Sequence, residues 1–535
     1  MDSTKTFPWL NLYPDDIPHE IDPDKYESLV ELLEQSFRKY PDRVAFENFG
    51  KTMTYRELDN RSRDFAAWLQ NAGMQKGERI VIQLPNLLQF PIVMFGAMRA
   101  GLIVVNTNPL YTPKEMEHQF RDSGARAIVI LSNFAHNLEK VIANTGIEKV
   151  IVTDLADEIG GIKGWIMNAV VKHIKKMVPR YTLRGHLKYK KVMKEARLMS
   201  YSKPPVHNSD IAFLQYTGGT TGVSKGAGLT HRNIISNMEQ IFAWVQPHLR
   251  DRAEVIITAL PLYHIFALTV NCLAFFRVGG KNVLITNPRD IPGFVKEMGK
   301  HKFTVFTGVN TLFNALMNNE KFRQLDFSEL KLTMGGGMAV QAVVARRWQE
   351  ITGCFLAEAY GLSETSPGVT ANPLNENART GSIGLPLPST EVIIADDDGN
   401  PLPQGERGEL LVKGPQVMDG YWEKPEENKK VFCKGYLRTG DIAVMDPDGF
   451  FRIVDRKKEM ILVSGFNVFP NEVEGVIAEH PKVLEVGVIG VPHDKSGEVV
   501  KACVVKKDDS LTEAELIEFC KGKLTGYKVP KHVEF

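Results

Sequence analysis

The sequence predicts an α/β protein: a large parallel-sheet unit, a stretch of antiparallel hairpins, and a small closing α+β unit. Three observations carry this. Short apolar runs alternate with amphipathic helical patterns over the first 130 residues, and the alternation resumes from Phe213. After about residue 390, strand-like segments are instead separated by the turn clusters DDDGN and DPDG. Beyond Lys458 a compact strand–helix–strand–strand–helix order follows. Helices between successive strands argue for right-handed βαβ units and a sheet covered on both faces. Tight turns between short strands argue for hairpins or a distorted barrel.

Taken in order, residues 26–40 read as a helix with Leu29, Leu32, Leu33 and Phe37 on one stripe. Thr54 and Glu57 form a capping box that opens a second helix, and Gly73 lies just past its end. Residues 79–84 are a buried strand, 91–100 a helix, 102–105 a strand, 113–123 a helix and 127–131 a strand. Further strands are expected at 211–215, 255–258, 282–285 and 303–306, with a helix beginning near His231. The hairpin region supplies strands at 391–395, 408–412 and 451–454. The last unit has strands at 460–463, 483–491 and 499–505 and helices at 472–479 and 513–520.

The chain has 535 residues, of which 43% are hydrophobic and 24% charged, so disorder is excluded. With 65 basic against 64 acidic residues the net charge is +1, which argues against a nucleic-acid binder. The five cysteines are scattered without a CxxC pair, which indicates neither a disulfide framework nor a zinc site and fits a reducing cytosol. The N-terminus lacks a signal-peptide pattern, and the most apolar stretch, 255–278, contains Pro261, His264, Asn271 and Arg277, so core segments fit it better than a membrane span. The expected location is the cytoplasm.

The densest motif is Tyr216-Thr217-Gly218-Gly219-Thr220-Thr221-Gly222-Val223-Ser224-Lys225-Gly226. Glycines let the backbone close around an anion while hydroxyls and N–H groups donate to it. A Walker A loop is excluded, because Ser224 rather than Gly precedes Lys225. Four further segments follow: PLYH ending in His264, Gly335-Gly336-Gly337, Glu358 to Thr365 (EAYGLSET), and YLRTGD ending in Asp441. The series closes with FRIVDRKKEM, residues 451–460. Taken singly, each has an ordinary structural explanation: a satisfied core histidine, a turn aspartate, a solvated basic run.

In this order and spacing they resemble the adenylate-forming superfamily of acyl-CoA synthetases, luciferases and peptide-synthetase adenylation domains, over essentially the whole chain. PLYHIFALTVNCL, TNPRDIPG, GVNTLFNAL and VDRKKEMILVSGFNVFPNEVE read most like bacterial long-chain fatty acid–CoA ligases. The resemblance implies a large domain, 1–457, of two doubly wound sheets plus a distorted β-barrel, and a small mobile α+β domain, 458–535, with Lys458 at the hinge. It implies activation of a long-chain fatty acid by ATP through an acyl-adenylate, then transfer to coenzyme A, with Mg²⁺. The alternatives are a fatty acyl-AMP ligase, a ligase for aryl or medium-chain acids, or a catalytically impaired nucleotide- and acyl-binding form.

Carried over residue by residue, the loop with Tyr216, Thr217, Gly218, Gly219, Thr220, Thr221, Gly222, Ser224, Lys225 and Gly226 would hold the β- and γ-phosphates. Glu364, with Thr217, would hold Mg²⁺, and Ser363 would touch the α-phosphate. Tyr360 and the Gly335–Gly337 strand, with Gly336 and Gly337, would sandwich adenine, and Ala359 and Gly361 would also bind the nucleotide. Asp441 would bind the ribose hydroxyls, with Ile453 against the nucleotide and Arg456 on ribose or phosphate. His264 would sit beside the reacting carboxylate; it, Thr217, Lys225 and Glu364 are the catalytic candidates. Gly465 and Phe466 would line the path of coenzyme A. Acyl-pocket residues are expected in the helix after His231 and in segment 308–316.

The family places a catalytic lysine in a Pro-x-x-x-x-Gly-Lys segment, and the sequence here ends in GYKVPKHVEF, before such a segment. A tail of a few tens of residues carrying it is the expectation. Residues 163–197 hold eleven Lys or Arg against the single acid Glu195, with Trp165, Ile166, Val170, Ile174 and Met177 among them. This block reads either as peripheral contact with an anionic membrane, as a helix packed on the main domain, or as an attractor for polyanionic substrates. A homodimer is a further expectation. Asp396-Asp397-Asp398 is not an EF-hand, because Pro401 and Arg407 stand where Gly and Glu are required.

Overall fold

The computed structural model describes residues 7–217, 223–249, 254–464, 466–493 and 496–535. Its parallel strands fall into two large sheets. The eight-stranded sheet is built around Arg79–Gln83, Ile103–Asn106, Ala127–Leu131, Lys149–Thr153 and Ile211–Thr217, all parallel. The nine-stranded sheet is built around Val44–Asn48, Val255–Thr258, Lys281–Leu284, Val305–Gly308, Leu332–Gly335 and Leu356–Gly361. Helices between the sheets bury one continuous apolar core that includes Leu33, Phe65, Phe90, Phe95 and Phe276. The strands are near-continuous apolar runs, as burial on both faces demands.

The hairpin region forms a five-stranded antiparallel sheet in which Glu391–Ala395, Arg407–Lys413 and Tyr436–Met445 are successive neighbours and Phe451–Arg456 pairs with Tyr436–Met445. The DDDGN turn is a hairpin, with Asp396 Oδ1 accepting from the N–H groups of Asp398 and Asn400. The last unit adds a second five-stranded sheet with its own core of Ile461, Val473, Ile477, Val500 and Leu516. The expected fold class holds, with local corrections at element ends. The first helix is Leu29–Lys39, because the Ser28 side chain accepts from Glu31 N–H and caps it there. The strand expected at 303–306 is Val305–Gly308.

Among the described residues no helix is long and apolar enough to cross a membrane. Stretch 255–278 is a strand, then a wide π-helical turn, Ala267–Ala274, then Phe275–Arg277, nearly all buried. The basic block splits in two. Tyr189–Ala196 buries Tyr189, Val192, Met193 and Ala196 as a packed helix should. Gly161–Ala169 and the turn Val170–Ile174 bury only Gly164, leaving Trp165 69% and Ile174 74% exposed.

Candidate active site

A cavity of about 640 Å³ opens where the two large sheets, the antiparallel sheet and residues 456–458 converge. One end is polar, with Thr217, Lys225, Ser363, Glu364, Arg456 and Lys458. The other is apolar, lined by Ile241, Trp244 and Val245 of helix His231–Val245 and by Phe266, Val270 and Leu387.

The polar end is assembled by strand register. Asp441 stands opposite Arg456 across two antiparallel strands, so both side chains share one face. Arg456 Nε lies 3.3 Å from Asp441 Oδ1, and the Tyr360 hydroxyl donates to Oδ2 at 2.5 Å. Asp441 is 3% exposed; burial raises its pKa, and the bonds from Tyr360 and Arg456 pull it back. Burial also pushes the Tyr360 phenol far above its ordinary value, which keeps it a donor.

Glu364 lies in the turn Ser363–Thr365, buried, and accepts from the Tyr421 hydroxyl at 2.6 Å. Lys225, at the start of the strand leaving the glycine-rich loop, pairs with Glu427. Hydrogen bonds from Lys225 and Lys430 hold Glu427 down at about 2. A hard divalent cation takes oxygen ligands, and Glu364 presents a buried carboxylate of that chemistry on the cavity wall.

His264 ends the PLYH turn, its N–H donating to Pro261 O at 2.9 Å. Its ring is open to the cavity yet surrounded by protein, which lowers its pKa and keeps it neutral. Nδ1 accepts from Phe266 N–H at 3.3 Å, so the neutral ring carries its proton on Nε2. Gly336 and Gly337 complete the wall. A Cβ at Gly336 would stand 3.1 Å from Ala359 O, and Gly337 has φ +78°.

Thr217, Lys225, His264, Gly336, Gly337, Ala359, Tyr360, Gly361, Ser363, Glu364, Arg456 and Lys458 all line this cavity, and Asp441 stands behind Tyr360 and Arg456. Other expected residues are elsewhere. The Tyr216 ring faces away and its hydroxyl donates to Asp122 Oδ2 at 2.9 Å. Ser224 O accepts from His118, Gly226 sits under the Tyr216 ring, and Ile453 packs in the core of the antiparallel sheet. Phe466 is exposed and stacks on Tyr527, with ring centroids 4.9 Å apart. None of residues 308–316 lines the cavity; the π-helical turn takes that place through Val270. Gly218, Gly219, Thr220, Thr221, Gly222 and Gly465 lie outside the described residues.

Sequence reasoning missed Glu409, Tyr421 and Glu427, all on the cavity wall. Glu427 sits in the charged run EKPEENKK, which looks like a solvated surface. The pairing of Gly420 and Tyr421 with Gly228 and Ala227, continued by Trp422 N–H to Gly226 O, brings that segment to the site.

The family model described as AMP-binding enzyme matches residues 33–422, and that described as AMP-binding enzyme C-terminal domain matches 472–535. A long-chain-fatty-acid–CoA ligase of Escherichia coli O6:H1 is 58% identical over 528 residues, 98% of this chain and 94% of the relative. The enzyme of that name from Bacillus subtilis is 38% identical over 537 residues, covering 99% and 94%. Among solved structures, an anthranilate CoA ligase in complex with anthranoyl-AMP superposes with a TM-score of 0.83 at 25% identity, covering 97% of this chain and 94% of that one.

Proposed function

The chain belongs to the AMP-binding enzyme family, and from that membership we infer that it is a long-chain fatty acid–CoA ligase that forms AMP. It activates the acid with ATP as an acyl-adenylate, releasing pyrophosphate, and then passes the acyl group to coenzyme A, releasing AMP. The observation that carries this is the lining of the cavity: donors and carboxylates such as Lys225, Glu364 and Arg456 together with the apolar side chains Ile241, Trp244, Val245, Phe266, Val270 and Leu387.

A carboxylate is a poor acyl donor because its leaving group would be oxide. In the first step its oxygen attacks the α-phosphorus, a P–O bond forms, and the bond to pyrophosphate breaks. Charge gathers on the phosphates, so Lys225 and the Thr217 loop are suited to receive them. Mg²⁺, held by Glu364 with Thr217 nearby, would neutralise phosphate charge when bound. Asp441 offers two carboxylate oxygens to the ribose hydroxyls, with Arg456 beside it. Gly336 and Gly337, without side chains, and the Tyr360 ring line the same cavity and suit a flat base such as adenine. Ser363 would touch the α-phosphate. Neutral His264, with its proton on Nε2, can donate to the acid's carboxylate or carbonyl without adding charge.

In the second step the thiol of coenzyme A gives up its proton, its sulfur attacks the acyl carbon to form a C–S bond, and the C–O bond to AMP breaks. We place a hinge at Lys458, between a large domain, 1–457, and a small one, 458–535, so that turning the small domain admits the thiol. Gly465 and Phe466 would lie along its path.

The test is AMP release across fatty acids of increasing length, with and without coenzyme A. Turnover that needs coenzyme A and rises with chain length is expected. Accumulation of acyl-adenylate with coenzyme A ignored would make the protein an acyl-AMP ligase, and preference for an aryl acid would replace the substrate class.

Segment 161–177 supports a second partner, an anionic membrane surface. Ile162, Trp165, Ile174 and Met177 point outward beside Lys172, Lys175 and Lys176. Lys190 and Lys191, by contrast, pair with Asp157 and Glu195. Trp165→Ala with Lys172, Lys175 and Lys176 changed to Gln should abolish cosedimentation with phosphatidylglycerol vesicles. Unchanged binding would overturn this contact.

A further inference from the structure

One contact at the polar end is not used by the reaction as derived so far: the Tyr421 hydroxyl bonded to Glu364 Oε1. Tyr421 lies on the short strand Gly420–Tyr421, which pairs antiparallel with Lys225–Thr230, the strand into which the glycine-rich loop runs. Its backbone is clamped by Asn428, whose Oδ1 accepts from Tyr421 N–H at 2.8 Å and whose Nδ2 donates to Tyr421 O at 3.2 Å. Three residues earlier, Met418 N–H donates to the backbone carbonyl of Glu364 at 2.8 Å. Segment 418–421 therefore holds Glu364 by main chain and side chain together. The ammonium of Lys225 lies 5.4 Å from the centroid of the Tyr421 ring, on the side of its partner Glu427.

We propose that Tyr421 is a positioning residue for Glu364: its hydroxyl occupies Oε1, fixes the carboxylate plane, and leaves Oε2 as the oxygen that takes the divalent cation of the nucleotide. The proposal rests on the reading of Glu364 as the metal ligand. A glutamate must give up side-chain rotational freedom to chelate, and a carboxylate already held by a second hydrogen bond has less to lose. Because the strand that carries Tyr421 pairs with Lys225–Thr230, the same contact ties the carboxylate's place to that of the loop's exit strand.

The test uses Tyr421→Phe in the full chain, which keeps the ring over Lys225 and removes the hydroxyl. Mn²⁺ binding to the enzyme–ATP complex is followed by electron paramagnetic resonance, alongside the Mg²⁺ dependence of pyrophosphate release. Half-saturating Mn²⁺ and Mg²⁺ should rise by about 10- to 100-fold, the range seen when an outer partner of a metal ligand is removed. Turnover should recover at saturating Mg²⁺, and ATP affinity without divalent cation should be unchanged. A merely structural role would lower turnover at every Mg²⁺ concentration and leave the half-saturating value in place, which would overturn the proposal.

Glu364→Gln serves as reference, and adding Tyr421→Phe to it should raise the cation requirement no further, because the two act as one unit. If Glu364→Gln leaves the cation dependence untouched, the reading of Glu364 fails and the role of Tyr421 fails with it. If Glu364→Gln shifts it and Tyr421→Phe does not, Tyr421 alone is overturned. Should Tyr421→Phe fold poorly, Asn428→Ala loosens the clamp while keeping the hydroxyl, and must move the cation dependence in the same direction.

Discussion

The two ends of the cavity are built on opposite principles. At the polar end the charges already have partners: Asp441 with Tyr360 and Arg456, Glu364 with Tyr421, Lys225 with Glu427. At the apolar end Ile241, Val245, Phe266 and Val270 offer no hydrogen-bonding side chain, and the Trp244 indole N–H is turned outward to Asn372 O at 2.9 Å. Fixed donors and acceptors recognise a ligand by geometry, and a mismatched group leaves buried polar atoms unpaired. An apolar wall recognises by volume, at about 0.8 kcal/mol per methylene. The nucleotide should therefore be read steeply and the acid gradually, by length.

The largest expected effect falls at the polar end. Asp441→Ala removes the ribose acceptor and strands Arg456 and the Tyr360 hydroxyl. A hydrogen bond to a charged group is worth about 1.5–3 kcal/mol, so losing the acceptor of both ribose hydroxyls should lower kcat/KM for ATP by about a thousandfold. Steady-state kinetics with the acid saturating checks this. A loss under threefold would mean that the polar end does not read its ligand by geometry.

Behind the same wall, Glu358 gives an effect on stability. It is buried and accepts from Gly381 N–H at 2.6 Å, and burial raises its pKa from 4.5 to about 7. Its folded pKa is above its unfolded one, so the stability contributed by its neutral form is complete below 4.5 and is lost as pH rises to about 7. Denaturant unfolding should show roughly 3 kcal/mol lost across that window from this group. Glu358→Gln should flatten the curve there; an unchanged curve would show that Glu358 ionises freely in the folded state.

How much of this was legible in the sequence depends on how local each cause is. The helix starts at Thr54 and Thr112 follow from capping, a matter of four consecutive residues. The glycine wall was readable because only residues without a side chain let a ligand approach the backbone. Tyr216 is set apart from Thr217 for an equally simple reason: neighbouring strand residues face opposite ways, so Thr217 meets the cavity while Tyr216 meets Asp122. Tyr421 and Glu427 needed a pairing across about 190 residues that no local pattern announces. In block 163–197 periodicity marks the stripe Ile166, Val170, Ile174 and Met177. It does not say that this stripe stays open while Tyr189–Ala196 is covered, because covering depends on what the rest of the chain brings there.

The smallest expected effect belongs to the apolar end and separates the two ends most directly. Val270 is 5% exposed and lies on the cavity wall, so a larger side chain there enters cavity space. In Val270→Phe the added ring should exclude the end of a long acid, forfeiting about three methylenes of burial, or roughly 2.4 kcal/mol. That predicts an approximately fiftyfold fall in kcat/KM for a long acid, with a medium-chain acid and ATP little changed. The informative quantity is the ratio between acids, because a general packing defect lowers both together. Equal losses for long and medium acids would place the acyl chain elsewhere. A loss that also appears in ATP affinity without acid would mean that the two ends are not read independently. If the long-acid loss stands alone, chain length is measured by the wide turn Ala267–Ala274, whose apolar run gave the sequence no reason to look like a binding site.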